Sequence, residues 1–149
     1  MKSGNKKMAS LGKGELERLS HFRFQLRRFL RVSEDICRQA GITPLQYQLL
    51  LHVRGFPGRD WANVGELAER LQAQHHGAVA LVTRCEQAGL VIRQTAADDR
   101  RQVEVHLTEK GESILLRLAE LHQPELQLLR AEFFPDQTPS GDGEGSETG

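Results

Sequence analysis

A mainly α-helical chain with one small β-hairpin is the fold class this sequence predicts, and three observations predict it. Apolar residues recur at three- and four-residue steps in five separate stretches between residues 14 and 134. Near the middle the period changes to two, where Val103, Val105 and Leu107 alternate with Gln102, Glu104 and His106. Breakers stand between the stretches, among them Gly41, Pro44, Gly55, Pro57, Gly58 and Gly89.

Taken in order, Met1–Lys13 is polar and rich in glycine and lysine, and is expected to be a disordered basic segment. From Gly14 to Ala40, Leu16, Leu19, Phe22, Leu26, Phe29, Leu30, Ile36 and Cys37 keep helical spacing, over a length of about 40 Å. A single small head cannot bury such a helix throughout, so its outer end is expected to meet a second copy of the chain. Arg18, Arg23, Arg27, Arg28 and Arg31 line its other faces and read as a solvated surface. Gly41 stops the helix. Thr43 caps the next, with Pro44 in the first turn, where a missing N–H costs nothing. Leu45 to Val53 is apolar nearly all round, which predicts a buried helix. Arg54–Asp60 is a turn-rich connector, and Asp60–Trp61–Ala62 reads as a short strand beside the hairpin.

Asn63 with Glu66 forms a capping box for a short helix with the stripe Leu67, Ala68 and Leu71. After a break at Gln72–Gln74 a second helix starts near His75. Ala78, Leu81, Val82 and Cys85 point inward, and Gly89 ends it. His76, Ala80, Thr83, Arg84 and Gln87 fall on the opposite face, open to a partner. Val91–Gln94 and Gln102–Leu107 are the hairpin strands, and the tip between them carries Asp98, Asp99, Arg100 and Arg101. Two short helices at a sharp angle followed by a charged hairpin is the layout of a winged helix-turn-helix. Thr108 caps a last helix with the stripe Ile114, Leu115, Leu118, Leu121, Leu126, Leu129 and Phe133, and Pro124 predicts a bend or break in it. Pro135–Gly149 has almost nothing apolar and is expected to be a disordered acidic tail.

The totals narrow the function. At 149 residues the chain is one domain of ordinary size. Its 20 Lys and Arg balance its 20 Asp and Glu. Four lysines (Lys2, Lys6, Lys7, Lys13) sit at the start and four acids (Asp136, Asp142, Glu144, Glu147) at the end, so the body between is also neutral. Any phosphate-binding surface must therefore come from local clustering. Cys37 and Cys85 lie on apolar helix faces and are expected to be buried thiols in a reducing compartment. The sequence carries no signal-peptide pattern and no apolar run of membrane-spanning length, so no membrane partner is expected and the location is read as cytoplasmic. No catalytic constellation and no phosphate-cradling glycine loop stands out. The six histidines form no metal-binding spacing, so neither an enzyme nor a metal or other cofactor is expected.

The run Leu67-Ala68-Glu69-Arg70-Leu71, then Leu81-Val82, Arg84, Glu86 and Gly89-Leu90-Val91, resembles the MarR family of bacterial transcription regulators. So does the wing signature Asp99-x-Arg101, five residues, Leu107-Thr108, two residues, Gly111. The resemblance implies a single domain over residues 14–134. Residues 14–40 and 108–134 would be dimerisation helices, and residues 43–107 the winged-helix DNA-binding part. It implies a homodimer on double-stranded DNA, each protomer offering one head to a half-site of a near-palindrome. Gln74, His75, His76, Gly77 and Arg84 of the reading helix are then DNA contacts, the first turn offering free N–H groups to phosphate. Ala80 stands where relatives often carry a basic residue, which shifts reliance to the wing. There Arg101 resembles a minor-groove arginine, Asp99 the acid that holds it, and Arg100 a phosphate contact. In many relatives a small aromatic or phenolic anion binds between dimer layer and reading head. By that resemblance Phe29, Ser33, Cys37, Tyr47 and Leu51 are the pocket candidates, and the expected function is a repressor released by such an effector. The same residues fit a ligand-insensitive DNA binder of this fold, and the neutral charge fits a winged helix used for protein contacts.

Overall fold

The structure is a computed structural model that describes residues 10–133. The expectations for Met1–Lys13 lie largely outside the described residues, and those for the tail from Pro135 entirely so. Among the described residues five helices and three short strands follow in the order α1 (Lys13–Gln39), α2 (Pro44–Arg54), β1 (Trp61–Asn63), α3 (Val64–Leu71), α4 (His75–Gln87), β2 (Val91–Thr95), β3 (Val103–Leu107) and α5 (Glu109–Phe133). The strands form one antiparallel sheet in the order β1-β3-β2. Trp61 faces His106 across the first ladder, and Val91 faces Leu107 across the second.

The chain divides into two compact units, one of residues 10–30 with 124–133 and one of residues 31–123. In the larger unit, Leu49, Leu50 and Val53 of α2, Leu67 of α3, Val82 and Cys85 of α4, Val105 of β3 and Leu118 of α5 are fully enclosed. Ala62 of β1 and Val91 of β2 close the same core. At about 25 cal/mol per Å² of apolar surface removed from water, this cluster is the main stabilising term of the head. The smaller unit is differently built. Leu16, Leu19, Phe24 and Leu30 of α1 are 49–62% exposed, and Leu126 and Leu128 of α5 are 42% and 49% exposed. Arg28 pairs with Glu125 at 3.8 Å within it.

Local signals place the element ends. Thr43 Oγ1 accepts from the Gln46 N–H and Gln46 Oε1 from the Thr43 N–H, at 3.1 and 2.9 Å, and Pro44 opens α2. The short strand runs one residue later than the sequence suggested, because Asn63 serves both as the last strand residue and as the cap of α3. Two expectations need correction. α2 is not buried all round: Leu45 and Leu51 are 51% and 42% exposed, on the arc facing away from the core formed by Leu49, Leu50 and Val53. α5 is not broken at Pro124 and stays helical from Glu109 to Phe133. Pro124, which has no N–H to donate to the Glu120 carbonyl, and Glu120 itself are both exposed.

A candidate nucleic-acid interface

The helix pair is set by its caps. Asn63 Oδ1 accepts from the Glu66 N–H at 2.8 Å, and Glu66 Oε1 from the Asn63 N–H at 3.0 Å. Glu66 is also paired with Arg59. The Arg59 guanidinium lies 3.9 Å from the Trp61 ring centroid and 4.2 Å from that of Phe56, a cation held between two aromatic faces. α3 ends at Gln72, which adopts a left-handed conformation at φ 51° without being glycine. Its backbone N–H and side-chain amide both donate to the Glu69 carbonyl, and the Ala73 N–H donates to Ala68, so three bonds hold the turn.

α4 starts at His75 with Gln74 as its cap residue, and no side-chain bond closes that cap. Gln74, His75 and His76 are exposed and Gly77 is half-buried, so the first turn presents its amides outward. Ala78, Leu81, Val82 and Cys85 are buried. That leaves His76, Ala80, Thr83 and Gln87 on the outward face, flanked by Val79 on one side and Arg84 on the other.

The hairpin is bound to α4 by Arg93, to which sequence reasoning gave no role. From β2 its guanidinium reaches Glu86 at 3.1 Å, the Thr83 hydroxyl oxygen at 2.9 Å and the Val79 carbonyl at 3.4 Å. The only signal in sequence is a basic residue on an otherwise mixed strand; its partners are seven to fourteen residues away. At the tip, Asp98, Asp99, Arg100 and Arg101 are all exposed. Asp99 does not hold the Arg101 side chain as the sequence suggested. Its carboxylate accepts from the Arg101 backbone N–H at 3.0 Å, because in a tight turn that amide lies nearer than a guanidinium at the end of a long stem. The Ala96 N–H donates to Gln102 and the Gln102 N–H to Asp99, closing the loop.

The base of the wing is joined to α5 by the threonine and glycine of the wing signature. Thr108 Oγ1 donates to the Gly89 carbonyl at 2.6 Å and accepts from the Gly111 N–H at 3.0 Å, while the Thr108 N–H donates to Leu90. Lys110 Nζ donates to the Ala88 carbonyl at 3.0 Å, a cation on the C-terminal end of α4. A Cβ at Gly111 would lie 2.0 Å from the Leu90 carbonyl oxygen, so glycine is required there by space.

Residues 40–102 match the model described as MarR family. Over 122 residues the chain is 29% identical to a proposed transcriptional regulatory protein for the hcr operon of Thauera aromatica, covering 78% of this chain and 70% of that one. A MarR family protein from Bacillus stearothermophilus superposes with a TM-score of 0.68 at 25% identity, covering 83% of this chain and 85% of that one. Residues 40–102, the helix pair and most of the hairpin, are therefore similar to the MarR family. A MepR mutant from S. aureus bound to an oligodeoxyribonucleotide shares the fold, with a TM-score of 0.62 at 20% identity over 75% of this chain and 80% of that one.

The residues singled out as an effector pocket come together only in part. Ser33, Cys37 and Tyr47 meet in the larger unit around His122, which sequence reasoning missed and which is 2% exposed. The His122 ring stacks on Tyr47 with centroids 4.7 Å apart. Its Nδ1 lies 2.6 Å from the Leu118 carbonyl, which can only accept, so Nδ1 carries the proton. Nε2 lies 2.8 Å from Ser33 Oγ, and in the neutral ring it accepts from that hydroxyl. Burial pushes the Cys37 thiol up, opposed in part by its hydrogen bond to Ser33, and burial also raises the Tyr47 hydroxyl. Leu51 instead lies on the outward arc of α2, and Phe29 belongs to the smaller unit. No helix among the described residues is long and apolar enough to cross a membrane.

Proposed function

We propose that this chain is a cytoplasmic, homodimeric repressor that binds a near-palindromic operator. α4 enters the major groove of each half-site, and Arg101 enters the adjacent minor groove. The observation that carries the reading is the tie from Arg93 to Glu86, Thr83 and Val79, which mounts the hairpin on the helix whose first turn is exposed. A major-groove element and a minor-groove element on one stiff frame is what a duplex requires. The MepR mutant bound to an oligodeoxyribonucleotide supports this use of the fold. In this assignment Gln74, His75, His76, Gly77 and Arg84 contact DNA from the helix, and Arg100 and Arg101 from the wing, with Asp99 shaping the tip. The exposed Leu16, Leu19, Phe24 and Leu30 support a second copy as partner, since a monomer gains nothing by wetting them. For the effector, a small aromatic or phenolic anion, the candidates within the larger unit are Ser33, Cys37 and Tyr47, which meet around His122, and Leu51 on the outward arc of α2. Binding there lowers DNA affinity by the difference in its affinity for the two arrangements of the heads.

Selection of bound fragments from random duplex DNA tests the reading. Expected is a near-palindrome with half-site centres about 10 base pairs apart, bound by two protomers, with affinity that falls as salt rises. Binding without sequence preference, or no binding, would instead favour the protein-contact module that the neutral charge suggests.

A further inference from the structure

We propose that the middle of α4 reads thymine through its C5-methyl group rather than reading any base by hydrogen bonding. The inference rests on the DNA-binding role proposed above and names what the central turn recognises. Thr83 is the only hydroxyl-bearing residue of α4, and both its polar functions are already in use. Its hydroxyl donates to the Val79 carbonyl at 3.0 Å and accepts from Arg93 Nη2 at 2.9 Å. One lone pair remains, and the guanidinium charge bonded beside it weakens it as an acceptor. The neighbours on the same stretch of face are Val79, 37% exposed, and the exposed Ala80. On this line of the face polar reach returns one turn to either side, at His76 and Gln87, with the long side chain of Arg84 on the flank.

The helix therefore offers the duplex an apolar centre with polar ends. Of the groups on base edges in the major groove, the thymine methyl is the one apolar group that projects far enough to be buried against such a face. Residues 79 to 83 span about 6 Å of helix, enough for one or two base pairs at about 3.4 Å each. The specificity is therefore for one or two thymines at the centre of the α4 footprint in each half-site, set by a clasp whose other end is in the wing.

The test uses wild-type protein and its selected duplex, with each thymine replaced in turn by uracil, which removes the methyl and nothing else. At the central thymine of one half-site the expected loss is about fourfold, and about fifteenfold when both half-sites are changed, from the transfer of one CH₂-sized group apiece. Thymines at the edges of the footprint should lose less than about twofold. Thr83→Val, which keeps a methyl and removes the hydroxyl, is expected to retain the thymine-to-uracil ratio. The ratio within each variant is the readout, so a general loss of affinity does not blur it. Sequence-specific binding that is indifferent to uracil at every position overturns the inference and leaves the repressor reading standing. So does a Thr83→Val variant whose ratio falls to one, which would show that the apolar side chains of this face do not by themselves sense the methyl. Failure to enrich any duplex removes both.

Discussion

Replacing Gly111 by alanine places a methyl carbon 2.0 Å from the Leu90 carbonyl oxygen and 2.9 Å from the carbonyl carbon. Carbon–oxygen contacts settle at about 3.3 Å or more, and the obstruction is backbone, so the first turn of α5 must retreat by about 1 Å. That retreat strains the bonds from Thr108 to Leu90 and Gly89, at 3.0 and 2.6 Å. Each is worth about 1 kcal/mol net, and overpacking adds about 1–3 kcal/mol. The better helix propensity of alanine returns about 1 kcal/mol. The balance is a destabilisation of about 2–4 kcal/mol, or a fall in Tm of about 4–16 °C for a chain of this size. Thermal denaturation followed by circular dichroism, at matched concentrations because dimerisation would shift the midpoint, measures it. Gly77→Ala is the control: no atom lies within 4 Å of its added Cβ, so it should melt at or above the wild-type temperature. Should Gly111→Ala melt together with the wild type, the glycine of the wing signature is not there for space and the argument fails.

Other expectations concern the interface and the titrating groups. Arg101→Ala should cost about 1–3 kcal/mol of binding per half-site while leaving the melting curve unchanged. Fluorescence anisotropy on the selected operator measures this, and unchanged affinity would remove the wing from the interface. Burial pushes the Cys85 thiol up to about 11, against the lowering effect of Arg84, and burial raises Cys37 as well. Both should therefore resist an aromatic disulfide reagent near neutral pH and react promptly once the chain is unfolded; rapid modification of the folded protein would contradict this. His52 is lowered by burial and by the charge of Arg70, so the unfolded chain takes up a proton first. Its contribution is whole above the unfolded pKa of about 6.5 and declines as pH falls below it. Urea denaturation across that range should show a shallower decline for His52→Gln than for the wild type.

The features legible in sequence are those encoded within a few residues of one another. The Thr43–Gln46 and Asn63–Glu66 capping boxes, the helix pair around Gln72, the stop at Gly89 and the alternating strand through Val105 all appear where local pattern puts them. What sequence could not show depends on partners that the chain brings from far away. Arg93 gains its role only when β2 lies beside α4, and His122 becomes buried through a hydroxyl 89 residues earlier. Leu51 looked like core because α2 is apolar nearly all round, and only packing decides which arc is turned outward. The spacing of Asp99 and Arg101 was legible, but the atom that Asp99 binds was not, because a side chain two residues away competes with a nearer amide.

The wing tip is closed by bonds that begin and end inside it: Ala96 to Gln102, Gln102 to Asp99, and Arg101 to the Asp99 carboxylate. A loop fastened to itself in this way can change length or lettering without disturbing the body that carries it. New operator preferences could then arise by exchanging a handful of residues, with the rest of the gene left as it was.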